Sequence, residues 1–158
     1  MSLSDEERRI ARARLPEGLR PETLAVRTAL APSQHGENSE ALFLTSAFVQ
    51  PDAATSAQRF AASEDFTYAR TSNPTVRSLE ARLAAMEGTE AAVATATGMS
   101  AILLLGMGLL KAGDHVICSR SVFGSTINLF AKEFGKFGVE TTFVSQTDPA
   151  EWQAAVRP

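Results

Sequence analysis

Ala91-Ala-Val-Ala-Thr-Ala-Thr-Gly98-Met-Ser-Ala-Ile-Leu-Leu-Leu-Gly-Met-Gly-Leu-Leu110 decides the fold. It opens with a small-residue strand candidate, Ala91–Thr95, and turns at Gly98 into a strongly apolar helix candidate ending near Leu110. Lys111-Ala-Gly113-Asp114 stops that helix. His115–Ser119 follows as a buried-type strand, then Phe123 to about Phe137 as a helix and Val139–Ser145 as a further strand. Asp148-Pro149 starts a last helix by pairing an N-cap with a residue that has no donor to leave unsatisfied. Strands alternating with helices of these lengths predict an α/β fold with a mostly parallel sheet and flanking helices.

Working back toward the amino terminus, a further helix precedes this stretch. Asn73-Pro74 is an N-cap and first-turn pair; Val76, Leu79, Leu83 and Met86 fall on one helical face, and Gly88 is the stop. Before Asn73 the periodicity fades. Prolines at 16, 21, 32 and 51 with polar residues between them describe an extended arm, with a brief helix at about Gln58–Ser63. Residues 4–14 read as a charged, frayed segment without an apolar face. The predicted division is therefore an extended arm over 1–72, of a kind that often proves functional or intersubunit, and the first part of an α/β domain over 73–158. The βα series is unfinished at Pro158, which predicts the amino-terminal portion of a longer protein.

Composition narrows the functions. The 158 residues are 44% hydrophobic and 21% charged with a net charge of -3, so there is no basic surface to attract nucleic acid. The one cysteine rules out an internal disulfide framework and fits a reducing, cytoplasmic setting. No apolar run is long enough to span a bilayer, and the first residues are charged, unlike a secretory leader. His35 and His115 have no ligand-spaced partners, so a zinc site is not expected.

Two elements suit a phosphorylated small molecule. Gly98-Met99-Ser100 opens a helix, where unpaired N–H groups and the helix dipole favour an anion, although a plain βα turn would look the same. In Tyr68-Ala-Arg70 a hydroxyl and a guanidinium stand two residues apart. They could clamp a phosphate, or Arg70 could be a surface residue paired with Glu64 or Asp65. Ser119-Arg-Ser-Val-Phe-Gly-Ser-Thr126 follows a strand, on the rim where parallel sheets bind ligands. There Phe123 is either a stacking platform or the first core residue of its helix.

Taken together in order, Tyr68-x-Arg70-x-x-Asn73-Pro74-Thr75, Gly98-Met99 and Val122-Phe-Gly-Ser-Thr126 resemble the pyridoxal-phosphate enzymes of cysteine and methionine metabolism, the transsulfuration family. The resemblance runs from about Thr23 onward. It implies the large domain of an aspartate-aminotransferase type fold and pyridoxal 5'-phosphate as cofactor. It further implies that Gly98 and Met99 give amides to the cofactor phosphate and that Phe123 stacks on its ring. Tyr68 and Arg70 would reach the phosphate from a neighbouring subunit of a homo-oligomer, expected to be a tetramer. Within the family the motifs are most similar to the members that exchange succinate for sulfide on an activated homoserine. Cystathionine γ-synthase or γ-lyase chemistry is the alternative, and a non-catalytic binding or oligomerisation module is a second. Phe123 replaces the family's usual Tyr, which removes a hydroxyl. None of Lys111, Lys132 and Lys136 has the family's Ser-x-Thr-Lys context, so no Schiff-base lysine is expected in this stretch and the stretch alone is expected to be inactive.

Overall fold

The computed structural model describes residues 15, 16, 18–30, 38–62 and 66–157. The segment predicted over 4–14 lies outside them. The chain divides into two compact units, Met1–Ala94 and Thr95–Pro158.

Among the described residues the first unit holds three helices: α1, Pro21–Arg27; α2, Ala53–Ala62; and α3, Pro74–Glu87. The caps are those the sequence calls for. Asn73 accepts the Thr75 amide at 2.8 Å, and Gly88 closes α3 in the left-handed region at φ 66°, where a side chain would be strained. Asp52 accepts both the amide and the hydroxyl of Thr55 at the start of α2, each at 2.8 Å. That helix starts earlier than the predicted Gln58.

The predicted apolar face of α3 is not its packing face. Val76, Leu79, Leu83 and Met86 are 42–51% exposed, while Ser78 and Ala84 are buried. The arm passing over α3 presents polar atoms, so a donor-bearing face meets it. Arg82 donates to the Thr28 carbonyl at 3.0 Å and forks onto Glu40, with 2.7 Å to the second carboxylate oxygen. This fork holds the Glu40 carboxyl well below its ordinary value, at about 2. Side-chain bonds also fix the extended arm. Phe43 gives its amide to Thr75 Oγ1 and receives the Asn73 side chain on its carbonyl, both at 3.0 Å. Ala47 and Tyr68 form an isolated antiparallel bridge.

The second unit is the α/β layer. Helix α4, Gly98–Leu109, is followed by β1, His115–Ser119. Next come α5, Gly124–Asn128, then β2, Glu140–Val144, and α6, Pro149–Ala155. The two strands pair in parallel, from His115 opposite Glu140 to Ser119 opposite Val144. Cys118, Phe130, Phe134 and Val139 form the buried core, with Ile102, Val116, Leu129 and Phe143 packed around it. Burial pushes the Cys118 thiol up, which keeps it from ionising readily.

Two predicted elements come out differently. Ala91–Thr95 is not a strand among the described residues: the Ala94 amide is taken at 2.8 Å by the Glu80 side chain, and these small side chains offer little to pack. The predicted helix from Phe123 to Phe137 changes pitch, with Leu129–Phe134 forming a π-helix after α5. This wide turn carries the stacked rings of Phe130 and Phe134, whose centroids are 5.2 Å apart. The Phe134 ring fills the space beside Gly106 of α4, where a β-carbon would lie 2.3 Å from its edge. Gly106 is the only fully buried residue of that helix for this reason.

Candidate functional site: an open helix start beside an exposed ring

Helix α4 begins with donors to spare. Thr97 is its N-cap, with Oγ1 accepting the Ser100 amide at 3.1 Å and standing 2.7 Å from the Ser100 hydroxyl. Among the described residues nothing accepts from the amides of Gly98 and Met99. Space is open above them: a β-carbon on Gly98 would meet no neighbouring atom within 4 Å. Two amides without a described acceptor thus stand at the positive end of a twelve-residue helix, with open space beside Gly98.

Phe123 stands on the same rim. Thr126, in the first turn of α5, is 5% exposed, and its hydroxyl lies 3.7 Å from the Met99 sulfur, which ties the start of α5 to the start of α4. Phe123 precedes that turn and gives its carbonyl to the Thr126 amide at 2.8 Å. Its ring is 71% exposed, so it is no part of the core. The structure thus brings Gly98, Met99 and Phe123 to one edge of the second unit, beyond the carboxyl end of β1.

Tyr68 and Arg70 belong to the first unit, where they meet each other. The Arg70 guanidinium lies 5.1 Å from the centroid of the Tyr68 ring, a cation–π contact. No described carboxylate pairs with Arg70, and Glu64 and Asp65 lie outside the described residues.

Pattern alone does not single out Thr97 or Thr126, nor the Arg120–Glu151 ion pair at 2.9 Å that links the loop after β1 to α6. Thr97-x-x-Ser100 is a capping signal that could have been found. The others act through contacts between elements distant in sequence, which leave no local trace.

These features are those of an α/β layer with an open helix start beside an exposed ring. The chain belongs to the Cys/Met metabolism PLP-dependent enzyme family, whose model matches residues 22–158. It is 52% identical over 143 residues to an O-succinylhomoserine sulfhydrylase of Pseudomonas aeruginosa, covering 90% of this chain and 36% of the relative. It is 36% identical over 136 residues to an L-methionine gamma-lyase of Fusobacterium nucleatum subsp. polymorphum, covering 85% of this chain and 34% of that protein. The chain thus spans about a third of the length of these relatives. Among solved structures, metB from Corynebacterium glutamicum superposes with a TM-score of 0.79 at 28% identity, covering 91% of this chain and 36% of that one. The metY protein of Campylobacter jejuni, solved with N'-pyridoxyl-lysine-5'-monophosphate, gives 0.77 at 28% identity, covering 88% of this chain and 33% of that one. Pyridoxal phosphate is the family's cofactor, and the free amides at Gly98 and Met99 fit its phosphate.

Proposed function

We propose that the whole protein is a pyridoxal-phosphate-dependent O-succinylhomoserine sulfhydrylase, which replaces succinate by sulfide at the γ carbon and so makes homocysteine for methionine synthesis. The 52% identity to a sulfhydrylase of that specificity is the observation that carries this assignment. Bound to the protein, the cofactor supplies an electron sink for charge developing on the substrate carbons.

The residues of this chain position and stabilise. Gly98 and Met99 donate their amides to the phosphate, with α4's dipole behind them. Phe123 lays its ring on the pyridine plane and fixes its tilt. Without a hydroxyl Phe123 moves no proton, so proton transfer falls to other groups of the whole protein. Tyr68 and Arg70 lend a hydroxyl and a fork to the phosphate of a neighbouring subunit. Residues 1–72 act as the arm that brings them there, and 73–158 begin the cofactor domain. Leu42, Leu44 and Val49, between 71% and 96% exposed, give that arm apolar side chains to dock on a second subunit. A cytoplasmic homotetramer is the assembly this predicts. The Schiff-base lysine and the acid facing the pyridine nitrogen come from the remainder of the whole protein.

The test is an assay of the whole protein with O-succinylhomoserine, offering sulfide or cysteine as acceptor. Homocysteine from sulfide is the expected product. Cystathionine from cysteine without homocysteine would place the protein with the γ-synthases, and turnover of the acetyl ester alone would correct the acyl group. Release of methanethiol from methionine would make it a γ-lyase.

A further inference from the structure

The loop from Ser119 to Phe123 carries an exposed ring that the core does not hold. Val122 packs against the core and Ser121 gives its amide to the Ser119 hydroxyl at 3.0 Å, and a carboxylate of α6 adds a further hold on the Arg120 side. Arg120 gives its amide to the Val144 carbonyl at 2.8 Å and its guanidinium to Glu151 Oε2 at 2.9 Å. The same oxygen accepts the Ser145 amide at 2.7 Å. The Ser145 carbonyl in turn receives the indole N–H of Trp152, also at 2.7 Å. One oxygen of Glu151 therefore joins the loops that follow β1 and β2, at the carboxyl edge of the sheet.

A surface ion pair usually contributes little, because ordering two long side chains offsets the attraction. Here the carboxylate is already anchored by a backbone amide, and Trp152 beside it pins the same loop. Arg120 is thus the one side chain of the pair left to order, and it lies three residues before Phe123. We propose that Glu151 is a positioning residue for cofactor binding, acting through Arg120 to fix the loop that aims Phe123. This rests on Phe123 being the stacking platform described above.

The experiment uses the whole protein as wild type, Glu151→Gln, Arg120→Met, Phe123→Ala and the Glu151→Gln/Phe123→Ala double variant. Glutamine keeps a carbonyl oxygen for the Ser145 amide while removing the charge Arg120 needs. The readouts are the dissociation constant for pyridoxal phosphate, the visible circular dichroism of the bound cofactor and the melting temperature of the apoprotein. Both Glu151→Gln and Arg120→Met are expected to weaken cofactor binding by about threefold to fivefold, the reach of a single well-held ion pair. The dichroic band should shrink with it, while the apoprotein melt stays at the wild-type value. In the Phe123→Ala background Glu151→Gln should add nothing.

An unchanged constant and band in Glu151→Gln, where Phe123→Ala is impaired, would overturn this proposal alone. So would an equal effect of Glu151→Gln with and without Phe123, or an apoprotein melt that falls in step with binding. Wild-type affinity in Phe123→Ala would instead remove the stacking role and this inference with it. A wild-type protein that binds no pyridoxal phosphate would overturn the proposed function as well.

Discussion

Each of the two units of this chain is stabilised internally by different means. In the second, a parallel strand pair and the rings of Phe130 and Phe134 enclose Cys118 and Val139 in an apolar core, with ion pairs such as Arg120–Glu151 and Arg157–Glu140 on its surface. In the first, Arg82, Asn73, Thr75 and Gln50 reach across the chain to backbone atoms or carboxylates, and the buried side chains include Thr67 and Ser78. An apolar core suffers from the loss of a methylene and tolerates a change of pH. A polar lattice does the reverse, because each of its bonds depends on one partner and on its charge.

The largest effect that would break this contrast lies at Phe134. Replacing it by alanine should cost about 3–5 kcal/mol. Hydrogen exchange should rise across β1 and β2 and leave α1 and α3 as they were; a uniform rise over both units would mean the cores are not separate. Next is Gly106→Ala, which in an exposed helix would be stabilising. Here the new methyl meets the Phe134 ring, so a net loss of about 1–3 kcal/mol is expected by denaturant unfolding, and a gain would show that the ring moves aside freely. Arg82→Met should cost about 1–2 kcal/mol, from the Thr28 carbonyl and the Glu40 carboxylate left without their donor. Exchange should rise in α1 and α3 only.

The smallest effect is the pH dependence of the Glu40 pair. Glu40 is held at about 2, below its ordinary 4.5. A lowered carboxylate contributes stability that is fully present above 4.5 and fades as pH falls toward 2. Glu40→Gln should remove that acid-side loss from α1 and α3 exchange and leave the second unit's own acid response, where Arg157 holds the Glu140 carboxyl below its ordinary value, as it is in the wild type. A profile unchanged by the substitution would show that the pair contributes nothing.

The same contrast explains what could be read from the sequence. The second unit was largely legible, because β1, β2 and α4 each carry their own apolar pattern and Asp148-Pro149 announces α6. What escaped was the π-helical turn, set by how Phe134 meets Gly106 on another helix, and Ala91–Thr95, whose Ala94 amide goes to Glu80. In the first unit only the local signals survived, Asn73-Pro74 and Gly88. Arg82 finds Glu40 and Thr28 at 42 and 54 residues' remove, and no pattern of spacing announces such a pair. For the candidate site, Gly98, Met99 and Phe123 stood out by motif, whereas Glu151 is visible only once β1 and β2 are side by side.

Asn73 has a consequence of its own. One face of its amide caps α3, and the other face grips the Phe43 carbonyl while Thr75, in the same turn, grips the Phe43 amide. Peeling this stretch away from the protein would thus unwind the first turn of α3 with it. Strand-like segment and helix behave as one latch, and tension applied at either is felt at the other.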